Sequence, residues 1–177
     1  FNSILSAIVA GVAQETVVNL APVAISSLEL HASGSGTLLL GDGISPQGQF
    51  FPGAFTLDLD DGINLLTIYG CGGGQQVTVN LGGGNDVVSL RQASATASPL
   101  STLGCSLVLD GGEGLNSLGA DFEDSTVAMD LQLSVDANGD DTLKTEGAAF
   151  AVTYSAFAET DVALTQAEGD ALTVAAL

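Results

Sequence analysis

Apolar and polar residues alternate in short runs along most of this chain. In Thr56-Leu57-Asp58-Leu59-Asp60 every second residue is apolar, and Thr126-Val127-Ala128-Met129-Asp130-Leu131 and Ala151-Val152-Thr153-Tyr154 repeat the pattern. A period of two is the mark of a strand with one face turned inward. Such runs end in similarly worded turns, an acidic or Gly-rich stretch followed by Gly-x-[Asn/Asp]-x-apolar. The wording is found over 56–66, 79–88, 108–118, 133–143 and, degenerately, 164–172. The turn glycines are Gly62, Gly84, Gly114, Gly139 and Gly169, so the unit recurs at an uneven interval. Too long for one hairpin and too short for a domain, that interval suits one coil of a parallel β-helix. The pattern therefore predicts an all-β chain, a short parallel β-helix (β-solenoid) of about five coils over 28–177. The competing architecture is an antiparallel β-sandwich, which expects turns every ~8–12 residues with no shared wording.

The stretch 1–27 stands apart. Phe1, Ile4, Leu5, Ile8, Val9 and Val12 fall at i, i+3, i+4, i+7 spacing, a helical stripe, whereas 17–25 reads as extended. Residues 1–27 are thus expected to form an apolar arm, helical or extended, that caps its own domain or docks on a neighbouring subunit. The start at Phe1 reads as a processed terminus of an exported chain, secreted or held at the cell surface. The longest apolar stretch, 4–13, is about half of the ~20 residues a spanning helix requires, so no stable membrane span is expected.

Charge narrows the partners. The 177 residues carry 21 Asp and Glu against two basic residues, Arg91 and Lys144, for a net charge of −19. Neutralising phosphates takes several Lys or Arg, which excludes nucleic acid as a partner and disfavours anionic membranes. At 46% apolar residues the chain can bury a core, and its length suits one domain. The two cysteines, Cys71 and Cys105, form an even pair in a chain read as exported. They predict a disulfide closing a loop of about 35 residues, a cross-link of roughly 3–4 kcal/mol in the chain-entropy account.

The turns carry the candidate chemistry. Gly111-Gly112-Glu113-Gly114-Leu115-Asn116-Ser117-Leu118 resembles the Gly-Gly-x-Gly-x-Asp-x-apolar nonapeptide of RTX proteins, with Asn116 where Asp is usual. Leu81-Gly82-Gly83-Gly84-Asn85-Asp86-Val87-Val88 is similar, with Leu81 in place of the first Gly. The resemblance implies an exported, Ca²⁺-associated parallel β architecture, although RTX repeats are contiguous and these turns lie far apart. Calcium takes six to eight oxygens from carboxylates, amide oxygens and carbonyls. If coils stack in register, Asp60, Asp61, Asn64, Asp86, Asp110, Glu113, Asn116, Asp136, Asn138, Asp140 and Asp141 are the residues to supply them. Against this stands plain turn chemistry, because Asp, Asn and Gly are what tight turns prefer without any ion.

Catalytic motifs are wanting. Asp58, Asp60 and Asp61 hold enough carboxylates for glycoside hydrolysis. Their Leu-Asp-Leu-Asp setting, however, is the ordinary wording of an apolar-in, polar-out strand. His31 is the single histidine and reads as a solvated strand or loop residue, and no phosphate loop, nucleophile elbow or zinc motif occurs. The expectation is a structural protein rather than an enzyme, a self-assembling filament or surface-fibre subunit joined head to tail to copies of itself. The alternatives are a Ca²⁺-dependent adhesin using the aromatic loop 47–52 and, behind it, a glycan-active enzyme.

Overall fold

A computed structural model of the chain describes residues 4–10, 27–40, 54–70, 76–91, 100, 103–145 and 151–175. Its strands are, in chain order, β1 (Ile4–Ala10), β2 (Ser27–Ser33), β3 (Gly36–Leu40), β4 (Ala54–Leu59) and β5 (Asn64–Ile68). There follow β6 (Gln76–Asn80), β7 (Val87–Arg91), β8 (Ser106–Asp110), β9 (Ser117–Asp121) and β10 (Asp130–Val135). The last are β11 (Asp141–Thr145), β12 (Val152–Ser155), β13 (Glu159–Ala163) and β14 (Ala171–Val174). The described chain is all-β. It contains no helix, and so none long and apolar enough to cross a membrane.

The strands build two mostly parallel sheets, one of nine strands in the order β1-β2-β4-β6-β8-β12-β11-β10-β14 and one of five in the order β13-β9-β7-β5-β3. From β2 to β9 the chain alternates between them, one strand in each. Parallel pairing sets like residues over like: Leu57 faces Val79, Val79 faces Leu109 and Leu109 faces Tyr154. In the smaller sheet Leu66, Val88 and Leu118 align, as do Ile68, Leu90 and Ala120. The first two steps of this register equal the steps from Gly62 to Gly84 and from Gly84 to Gly114, so strands and turns share one repeat. The antiparallel alternative fails on this pairing, since only β10–β11 and β11–β12 run antiparallel among the described strands.

Burial follows the alternation. Leu57, Val79, Leu109 and Tyr154 of the nine-stranded sheet and Leu66, Val88 and Leu118 of the five-stranded one fall in a single core, each at most 4% exposed. Each such side chain contributes about 1.5–3 kcal/mol on leaving water. Between the strands, the first three predicted turns lie on one another. The Gly62 amide donates to the Gly83 carbonyl at 2.6 Å, and Glu113 N–H to the Gly82 carbonyl at 2.9 Å, so successive turns are joined by backbone bonds.

One alternative is decided here and one expectation corrected. Of the two forms open to the arm, helical or extended, Ile4, Leu5, Ile8 and Val9 take the extended one. These residues lie in β1, paired parallel to β2 from Ile4–Ser27 to Ala10–Ser33. Positions 4 and 8, like 5 and 9, share a face in a strand as they do in a helix, and the free backbone edge of β2 decides between the two. Phe1 and Val12 lie outside the described residues. The fourth predicted turn is not a corner between parallel strands. It closes the antiparallel hairpin β10–β11, in which Leu133 faces Leu143.

Candidate functional site

The stacked turns present an open cleft, lined by Asp61, Asn85, Glu113 and the glycines between them. Of the predicted calcium ligands it thus gathers Asp61 and Glu113. Asn85 joins them, but its Oδ1 accepts from the Leu115 amide at 3.0 Å. Asp60 and Asp110 are occupied with their own turns: Asp60 Oδ1 accepts from Asp61 N–H at 2.9 Å, and Asp110 Oδ1 from Gly112 N–H at 3.0 Å.

Asn64, Asp86 and Asn116 have a different place. They begin the inward face of β5 and of the segments leading into β7 and β9, each at most 1% exposed, and bond to one another in a column. Asp86 Oδ1 accepts from the Asn64 amide at 2.8 Å and from its Nδ2 at 3.1 Å, while Asn116 Oδ1 accepts from Asp86 N–H at 2.9 Å. Asn116 Nδ2 donates onward to the Gly111 carbonyl at 2.7 Å. Buried amides require partners, and this column supplies them from one turn to the next.

The remaining predicted ligands do not line the cleft. Asp136, Asn138, Asp140 and Asp141 belong to the β10–β11 hairpin. Asp136 Oδ1 accepts the Asn138 amide at 2.7 Å and the Asp140 amide at 3.1 Å. These amides, Asn138 first, hold its carboxyl below the ordinary aspartate value. Cys105 is fully buried; its predicted partner Cys71 lies outside the described residues, as does the loop 47–52.

A second cluster was not anticipated. Glu29 and His31, two apart on β2, share the outward face, and parallel pairing sets Asp58 of β4 directly beside His31. His31 Nε2 lies 3.1 Å from Glu29 Oε1, and Nδ1 lies 3.3 Å from Asp58 Oδ2. The other Asp58 oxygen accepts from Asn80 Nδ2 on β6. Glu29, His31 and Asp58 form a group that could hold a metal ion, one ligand atom from each lying within 4.8 Å of the others. A Glu-x-His pair on one strand was visible in the sequence, but Asp58 is distant along the chain and comes into reach only through the strand register. No family model, curated protein or solved structure matches the chain. Function rests, then, on the chemistry of these surfaces.

Proposed function

We propose that this chain is an extracellular structural protein, a β-solenoid that assembles head to tail into filaments or surface fibres. The observation that carries the reading is the end of the nine-stranded sheet. There β14 is exposed along its whole length, with Leu172 at 46% and Val174 at 52%, and it bears no charge. A neutral strand at a sheet end offers unpaired amides and carbonyls as a template for another chain, and soluble proteins usually block such edges with Lys, Pro or a bulge. At the opposite end stands β1, with β2 its one partner among the described residues. Joining β14 of one copy to β1 of the next is a heterologous contact that does not close, and it extends the sheet as an open fibre. The in-register parallel pairing and the stacked turns support the solenoid, because each new strand pair needs the previous one to bury its apolar face.

Calcium in the cleft of Asp61 and Glu113 and a Cys71–Cys105 cross-link belong to the same reading. Negative-stain microscopy of the purified chain, in buffer, with millimolar Ca²⁺ and then with chelator, tests it. Regular filaments are expected, and Leu172→Lys with Val174→Lys should abolish them while leaving the circular dichroism of the fold in place. Monodisperse monomers in every condition overturn the assembly reading. Filaments indifferent to chelator retire calcium, and alkylation of the unfolded but unreduced chain retires the disulfide.

A further inference from the structure

We propose that Glu29, His31 and Asp58 form a binding site for a divalent transition-metal ion, with Zn²⁺ the best match. The donor set is one imidazole nitrogen and two carboxylate oxygens, carried on two hydrogen-bonded strands whose backbone holds the ligands in place. Imidazole with carboxylates suits zinc and its neighbours, whereas calcium takes oxygen alone, so this site is chemically distinct from the turn cleft. Zinc bonds to nitrogen and oxygen run at about 2.0–2.2 Å, which makes the edge of a tetrahedron roughly 3.3–3.6 Å. The imidazole stands off its two carboxylates by 3.1 Å and 3.3 Å. In this structure each ring nitrogen faces one carboxylate, and one of the two lies within 4.8 Å of an oxygen from each. His31 and Glu29 are each 46% exposed and Asp58 27%, leaving the outer side open for water as fourth ligand.

Two further features favour an ion. Asn80 donates to one oxygen of Asp58 and so fixes the carboxylate with its other oxygen toward the imidazole, as partners beyond the ligands do in metal sites. Charge is the other. Among the described residues Arg91 is paired with Asp121, and no Lys or Arg forms an ion pair with Glu29 or Asp58. A divalent cation would neutralise two carboxylates that neither Lys nor Arg pairs with among the described residues.

The test uses the chain's single histidine as its reporter. One imidazole gives one set of ring resonances, so titration of the full chain with Zn²⁺, followed by NMR and by calorimetry, reads the site directly. The expected result is one equivalent bound with the His31 ring signals shifted, while Ca²⁺ at the same concentration leaves them in place. His31→Ala should weaken zinc binding at least 100-fold with an unchanged strand spectrum. Asn80→Ala, which removes a positioning residue and no ligand, should weaken it about 10-fold. Zinc that binds without moving the imidazole signals overturns the proposal, as does His31→Ala binding zinc as tightly as the parent. Ring signals that stay fixed up to millimolar Zn²⁺ also overturn it and leave the trio as an ion-pair bridge between β2 and β4.

Discussion

Asp86 is the residue on which the buried column turns. Its Oδ1 accepts two bonds from Asn64, yet its Oδ2 is buried with no hydrogen-bond partner. Asn116, one turn further on, shows one way an amide is satisfied at this position: its Nδ2 reaches back within its own turn to the Gly111 carbonyl. By the same spacing an amide at 86 would reach the Leu81 carbonyl and leave no orphaned oxygen. Asp86→Asn is therefore expected to stabilise the fold by about 1 kcal/mol, because an unpaired buried polar atom costs roughly 1–3 kcal/mol. Asp86→Ala, which strips Asn64 of its acceptor, should destabilise it by about 2 kcal/mol or more. Denaturant midpoints of the three proteins check both signs, and an Asn variant no more stable than the parent would remove the argument. The sequence marked Asn64, Asp86 and Asn116 as special but assigned them to an ion. It showed that they recur at one place in successive turns; that they point inward depends on where each strand begins, and local wording does not carry that.

At the scale of the element the strands were legible in part, and so were their connections. Alternation named β4 and β12 correctly because a one-sided strand must alternate. It misread 126–129, whose alternating residues form the corner before β10, and left the arm open between helical and extended at β1, where pairing overrides local periodicity. The turns were worded alike but are of two kinds. At Gly114 φ is +110°, and a Cβ would run into the Gly84 carbonyl of the turn beneath. At Gly139, in the β10–β11 hairpin, φ is +91° and a Cβ would meet nothing within 4 Å. Gly114→Ala thus adds a clash with backbone to the strain of a left-handed residue and should cost about 3 kcal/mol or more. Gly139→Ala carries the strain alone, about 1–2 kcal/mol. Thermal unfolding of the two variants separates stacked turns from the hairpin turn; equal losses would mean that the turns do not stack as described.

For the whole molecule, two parallel sheets were foreseeable from the intervals between Gly62, Gly84 and Gly114, since a register shared by turn and strand leaves few other topologies. The hairpin that interrupts the series was not, because its turn is worded like the others and only long-range pairing distinguishes it. Charge governs what such a molecule does with its neighbours. At −19, with a pI near 4.1, copies repel one another at neutral pH, and the head-to-tail joining proposed above would have to overcome that repulsion. Salt shortens the range of repulsion to about 10 Å at 0.1 M, and acid removes the charge itself. Two turn carboxyls keep their contribution through most of that acid range. Burial alone would raise the Asp170 carboxyl, but the Met129 amide and the hydroxyl and amide of Thr165 hold it below its ordinary value, as the hairpin amides hold Asp136. Carboxyls lowered in the folded state stabilise it above their unfolded value and lose that contribution only as pH falls through the folded one, below about pH 4. Assembly is therefore expected to quicken with added salt and as pH falls from 7 toward about 4.5, with the strand spectrum unchanged until pH drops below about 4. Sedimentation and circular dichroism across one pH series read the two together. Assembly fastest at neutral pH and low salt would mean that the ends attract through charge rather than through the bare edge of β14.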